Sequence, residues 1–171
     1  ENQSGGMNEA FSDIAGEAAE YFMKGSADWL VGADVMKSGD ALRYFQDPTQ
    51  DGDSIDHIDD YWKGINVHLS SGIYNKAFYL LANTENWGIR KAFDVFVYAN
   101  QNYWIADETF SNGLCGLINS AKDLGYSQID VALAFQPMGV SCSGFFKDGD
   151  EDQMSDIWEK VYGFDSNNAE D

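Results

Sequence analysis

Gly5-Gly6-Met7-Asn8-Glu9-Ala10-Phe11-Ser12-Asp13 decides how the rest of this 171-residue chain is read. Two glycines open what reads as a helix, and Met7, Ala10, Phe11, Ile14 and Ala15 follow at turn spacing. Glu9 and Asp13 stand four residues apart, which puts both carboxylates on one face. Their neighbours are small and apolar, so that face is expected to head into an interior. A buried carboxylate has to be paired, protonated or bound to metal. Two of them one turn apart suit a metal ligand followed by a side chain that orients its partner. The plainer reading is a helix start whose acids are favoured by the macrodipole.

Outward from that run, helical spacing continues from Met7 to about Lys24 and stops before Gly25. Gly25 to Gly64 holds Pro48, several glycines and many aspartates, and reads as a long loop with short turns. A second helix is predicted from about Val67 to Asn83, with Ile73, Ala77, Leu80 and Leu81 inward. A third covers about Ile89 to Tyr103, with Phe93, Phe96 and Val97 inward. Thr109 to Leu124 and Ser127 to Met138 each begin at a capping hydroxyl. Pro137 leaves the end of the last one open. No segment carries a convincing strand period. The fold class is mainly α.

Hydrophobic residues at 44% and aromatics at 15% are enough to build a core, which argues against wholesale disorder. A formal net charge of −19 argues against nucleic acid and anionic lipid as partners. No apolar run approaches the roughly 20 residues a membrane span needs, so no membrane insertion is expected. The chain begins at Glu1 without a signal peptide, as expected of a processed or truncated piece of a longer protein. Beyond Cys142 the composition turns acidic, with nine acids against two lysines in residues 143–171. A boundary is placed there, between a helical domain at 1–142 and an acidic tail at 143–171.

The opening run resembles the third-ligand helix of thermolysin-like zinc metallopeptidases, nearest to the pseudolysin and vibriolysin branch. The resemblance extends with few gaps from Glu1 to about Val140. It implies the helical C-terminal lobe of the thermolysin-like fold, with Glu9 binding zinc and Asp13 hydrogen-bonding a zinc-bound His. Val67-His68-Leu69-Ser70-Ser71-Gly72-Ile73-Tyr74-Asn75-Lys76-Ala77 resembles a second family run, whose His stabilises the oxyanion of the tetrahedral intermediate; that implies the role for His68. The branch carries an acid two residues before this His, where this chain has Asn66, an amide that can still orient an imidazole. Ala41-Leu42-Arg43 resembles the family's Leu-Arg pair. It implies that Arg43 donates to a substrate carbonyl and Leu42 lines the primed-side pocket. By its residue type alone, Arg43 in an acidic loop is a salt-bridge partner.

Glu17 and Glu20 lie three apart on the first helix and Asp28 follows the next turn, a set of hard oxygen donors. The resemblance implies a structural calcium on them, with the Leu30 carbonyl completing part of the shell and a further ligand upstream of this segment; otherwise they form a solvated acidic face. Two thiols, Cys115 and Cys142, are by themselves as compatible with free buried cysteines as with a bridge. The resemblance implies a disulfide, hence an oxidising compartment and a secreted, extracellular protein. In the tail, Asp148, Asp150, Asp152, Asp156 and Glu159 occupy positions 1, 3, 5, 9 and 12 of an EF-hand-like loop, with Gln153 where Gly is usual. Met154-Ser155-Asp156-Ile157-Trp158-Glu159 also resembles a thrombospondin type-3 calcium repeat. The rival is a disordered acidic linker.

The family draws two zinc ligands and a general-base Glu from His-Glu-x-x-His. Here the histidines are His57 and His68, and neither begins that motif. The expectation is therefore the C-terminal half of a secreted zinc endopeptidase cutting before hydrophobic or aromatic residues. It would be inactive without the N-terminal half of the same enzyme, its partner beside the peptide substrate. The alternative is a non-catalytic calcium-binding helical module.

Overall fold

The structure is a computed structural model and describes residues 3–37, 40–152 and 154–170. It begins with α1 (Gln3–Lys24), β1 (Leu30–Val31) and β2 (Arg43–Tyr44), followed by 3₁₀ turns at Pro48–Asp51 and Ile58–Asp60. Then come α2 (Val67–Ser70), α3 (Gly72–Ala82), α4 (Ile89–Asn102), α5 (Phe110–Leu124) and α6 (Gln128–Phe135). A 3₁₀ turn at Gln136–Met138 and α7 (Asp156–Tyr162) close the chain. The fold is mainly α.

α1 starts before Met7, so Gly5 and Gly6 lie inside the helix rather than opening it. A Cβ on Gly5 would stand 2.5 Å from Val67 Cγ1, and one on Gly6 2.5 Å from Ser70 Oγ. Glycine inside a helix costs about 1 kcal/mol relative to alanine. At these two positions the gain is the close approach of α1 to α2, which brings Glu9 next to His68.

α3 forms the centre of the core. Ile73, Tyr74, Ala77, Phe78 and Leu81 are buried against Phe96 of α4, Phe110 and Leu114 of α5, and Phe135 of α6. The Tyr74 ring lies 4.8 Å from Phe135 and 5.4 Å from Phe110, centroid to centroid. Its hydroxyl donates to the Phe110 carbonyl at 2.7 Å, satisfying the only polar atom of a fully buried side chain. Burial pushes its phenol well above the ordinary range. Each such ring contributes about 1.5–3 kcal/mol by leaving water.

Four expectations are corrected. The helix over Val67–Asn83 is two helices, because the loop before it packs into the junction: a Cβ on Gly72 would meet the Ile55 carbonyl and Pro48 Cβ. On α4 the inward residues are Ala92, Val95, Phe96 and Ala99, while Phe93 and Val97 are half-buried. The Gly25–Gly64 stretch contains a two-stranded antiparallel sheet, Leu30 opposite Tyr44 and Val31 opposite Arg43. Pro137 ends α6 at Phe135 and sits in a 3₁₀ turn instead.

Cys115 on α5 and Cys142 form a disulfide with Cα atoms 5.1 Å apart, tying the start of the tail to the core. The tail contains a short helix, α7, capped by Ser155, whose hydroxyl accepts from the Trp158 N–H. Among the described residues, no helix is long and apolar enough to cross a membrane.

Candidate metal and substrate site

α1, α2, α3 and β2 each send a side chain to one place. Glu9, from α1, is half-buried rather than buried, with 28% of its side chain exposed. The exposed side of α1 runs past it, so the carboxylate opens toward solvent. His68 lies one residue inside α2, with Nδ1 2.9 Å from Glu9 Oε2. Asn66 does not orient that imidazole. Its Oδ1 accepts from the His68 backbone N–H at 3.0 Å and so caps α2, leaving Glu9 as the side chain on the ring nitrogen.

One turn after Glu9, Asp13 is buried. Arg43 donates to it through Nε at 2.8 Å and Nη2 at 2.6 Å, a two-pronged charge-assisted pair. This pairing raises the already high pKa of the guanidinium. Asn75 Nδ2 adds a third donor at 2.8 Å. Sequence reasoning did not single out Asn75; the available signal was a polar residue among the apolar positions of α3, seven after His68. Leu42, the neighbour of Arg43, is half exposed, and its backbone N–H is held by the Val31 carbonyl at 2.8 Å. The short sheet thus fixes the segment that carries both.

A second group of acids lies further along α1. Glu17, Glu20 and Asp28 place one carboxylate oxygen each within 4.8 Å of one another. Glu17 accepts the Trp29 backbone N–H at 3.1 Å, and burial still pushes its carboxyl up to about 7. Asp28 turns the chain by accepting the N–H of Leu30 at 2.9 Å. Lys24 pairs with Glu20 at 2.6 Å and with Asp34 at 2.8 Å, partly neutralising the cluster. Hard carboxylate oxygens gathered round a group that is costly to ionise fit a calcium ion chemically.

In the tail, Asp148, Asp150 and Asp152 converge within the same 4.8 Å. Asp156 is not part of that convergence: its Oδ1 accepts the Gly149 N–H at 2.6 Å and closes the loop. Glu159 is wholly buried on α7. Both carboxylate oxygens of Asp150 are enclosed, and burial, with Asp152 and Asp148 nearby, raises its pKa against the lowering effect of backbone N–H groups in the loop. Gln153 lies outside the described residues.

For zinc the donor set is incomplete. A catalytic zinc takes three protein ligands, and neither converging acidic group among the described residues includes Glu9. Glu9, half open with an imidazole beside it, fits one corner of such a site. His57 serves elsewhere, its Nδ1 accepting the Asp59 N–H at 3.2 Å to cap a 3₁₀ turn.

Residues 1–140 match the family described as "Thermolysin metallopeptidase, alpha-helical domain". The chain belongs to the thermolysin metallopeptidase family. It is 62% identical over 143 residues to the neutral protease of Vibrio proteolyticus, covering 84% of this chain and 24% of that protein. It is 59% identical to the virulence metalloprotease of Vibrio anguillarum, covering 84% and 23%. With the zinc metalloprotease of Helicobacter pylori the identity is 58%, covering 83% of this chain and 55% of that protein. The chain therefore spans about a quarter of the Vibrio relatives and about half of the Helicobacter one. The thermolysin family match ends two residues before Cys142, and the acidic tail lies outside it.

Proposed function

We propose that this chain is the C-terminal catalytic lobe of a secreted zinc metalloendopeptidase that cleaves on the amino side of hydrophobic or aromatic residues. The observation that carries the reading is the set of contacts joining Glu9 to His68 and Asp13 to Arg43 across α1, α2 and β2. In this reading Glu9 is the third zinc ligand, and Asp13 orients a zinc-binding His contributed by the N-terminal half. His68 donates to the oxyanion. Arg43, anchored on Asp13 by two of its donors, offers the others to a substrate carbonyl, and exposed Leu42 supplies an apolar wall for the primed-side residue. Zinc, when bound, supplies the Lewis acidity that activates water. The Cys115–Cys142 bridge supports an oxidising, extracellular setting.

Two calcium ions belong to the same reading. Glu17, Glu20 and Asp28, with the Leu30 carbonyl, take a structural ion beside the cleft. Asp148, Asp150 and Asp152 take a second in a separate tail unit at 143–171, with Asp156 and Glu159 completing the loop. The specific support for the second is the convergence of the three carboxylates within 4.8 Å, with burial and the neighbouring Asp152 and Asp148 raising the Asp150 pKa. The converging carboxylates of both groups lie within this chain, which is what keeps a non-catalytic calcium-binding module as the second reading.

Casein hydrolysis separates the two readings. A full-length protein that carries His-Glu-x-x-His upstream of Glu9 is expected to hydrolyse casein and to lose activity to a zinc chelator. The 171-residue chain alone is expected to show none. Chelator-sensitive proteolysis by the isolated chain would overturn the division of ligands. An inactive full-length protein would leave the calcium module as the function.

A further inference from the structure

Asn75 has no part in the reading above, yet its surroundings are unusual for an amide. It is fully buried on α3, its Nδ2 donates to Asp13 Oδ2 at 2.8 Å, and its Oδ1 has no hydrogen-bond partner among the described residues. An orphaned buried acceptor is a stability penalty that a leucine of similar size would not incur. The orientation of the amide is dictated by its neighbour. Turned over, Oδ1 would face a carboxylate oxygen, two acceptors with no proton between them.

The donors on Asp13 are unevenly shared. Among the described residues, Oδ2 takes Arg43 Nε and Asn75 Nδ2, both at 2.8 Å, whereas Oδ1 takes only Arg43 Nη2 at 2.6 Å. A carboxylate oxygen accepts about two hydrogen bonds, so Oδ2 is filled and Oδ1 keeps one place open. The two donor residues also differ in rigidity. Arg43 is partly exposed on a two-residue strand inside a long loop, and Asn75 sits on the most buried helix of the core.

We propose that Asn75 is a positioning residue: a fixed tether on α3 that holds Asp13, so that Arg43 is presented to substrate in one orientation and one acceptor place on Asp13 Oδ1 stays open. The catalytic consequence rests on the proposed peptidase reading; the tether itself does not. It joins the helix bearing Glu9, the strand bearing Arg43 and the core, so a pull on Arg43 is resisted by α3 rather than by loop backbone.

Two measurements test this, with Asn75→Leu as the main variant and Asn75→Ala as a second should the larger side chain disturb packing. In the 171-residue chain, the Arg43 Nε–H nitrogen-15 resonance reports the pair with Asp13. It is expected to be shifted and protected in the wild type. In either variant it should exchange about tenfold faster, on the scale of one charge-assisted hydrogen bond, while the melting temperature holds. In the full-length enzyme, kcat/KM should fall about tenfold, and Arg43→Lys should add less in the variant than in the wild type. An unmoved Arg43 resonance in both variants overturns the proposal, as does an activity loss that only tracks a loss of stability. If the full-length wild type is inactive, the functional reading fails and the resonance still decides the role of Asn75.

Discussion

Glu17 is nearly sealed from solvent on α1, and its carboxyl is pushed from an ordinary 4.5 up to about 7, by burial first and then by Asp28, Glu20 and Asp13. A carboxyl raised on folding binds its proton more tightly in the native state than in the unfolded one. Its stabilisation is present below about 4.5 and is lost as pH rises through about 7. In chelator, the melting temperature of the chain should therefore fall across that window, and Glu17→Gln should flatten the fall. Calcium should reverse the sign, raising the melting temperature more above the window than below it, because the ion needs the ionised carboxylate. An identical pH profile in Glu17→Gln would sink the assignment. At this scale the sequence was informative wherever chemistry-bearing side chains fell at a helical repeat, as with Glu9 and Asp13. It marked Asn75 only as a polar residue on an apolar face and not its partner, because the contact with Asp13 spans 62 residues and leaves no periodic trace. It misled on Asn66, since the choice between capping a backbone and orienting a ring depends on where Glu9 ends up.

Elements were legible where their period was long. α4, α5 and α6 begin where predicted, because Thr109 and Ser127 cap α5 and α6 and a left-handed Gly125 ends α5. The small sheet was not legible, because two-residue strands are too short to show alternation; their pairing is set by a loop closing over α1. The break between α2 and α3 was hidden because Ser71 keeps helical backbone angles, and only the crossing loop at Gly72 explains it. Glycines inside α1 give the sharpest test at this scale. A Cβ on Gly6 would also approach Phe110 Cζ and the Ser70 backbone at 3.3 Å, while one on Gly16 meets nothing within 4 Å. Gly16→Ala should gain helix propensity and stabilise the chain by about 0.5–1 kcal/mol. Gly6→Ala should lose more to overpacking than it gains, a net cost of about 1–2 kcal/mol. Chemical denaturation of the two variants checks the pair, and equal shifts would mean that α1 is not clamped on α2.

For the whole molecule, the question is how a strongly acidic tail stays folded beside a core that already carries excess negative charge. The disulfide answers part of it. Closing a 27-residue separation contributes about 3.5 kcal/mol in the chain-entropy picture and anchors Cys142 to α5. It does nothing for Asp148, Asp150 and Asp152, whose mutual repulsion inside 4.8 Å opposes closure of the loop. A cation resolves that repulsion, and the tail carries its own reporter. Trp158 stacks on Phe164 at 5.6 Å, in the segment that folds back after α7. The α1 cluster has a different one, since the Trp29 N–H bonds Glu17. Calcium titrated into the chelated chain should therefore change tryptophan fluorescence in two separable steps. Asp150→Asn and Trp158→Phe should each abolish the same step, and Glu17→Gln the other. The tail step should fall at about 10⁻⁴–10⁻³ M, the range of extracellular calcium modules. If Asp150→Asn leaves both steps intact, the tail does not hold the ion. If one step vanishes in all three variants, the two clusters are coupled and the tail is not a separate unit.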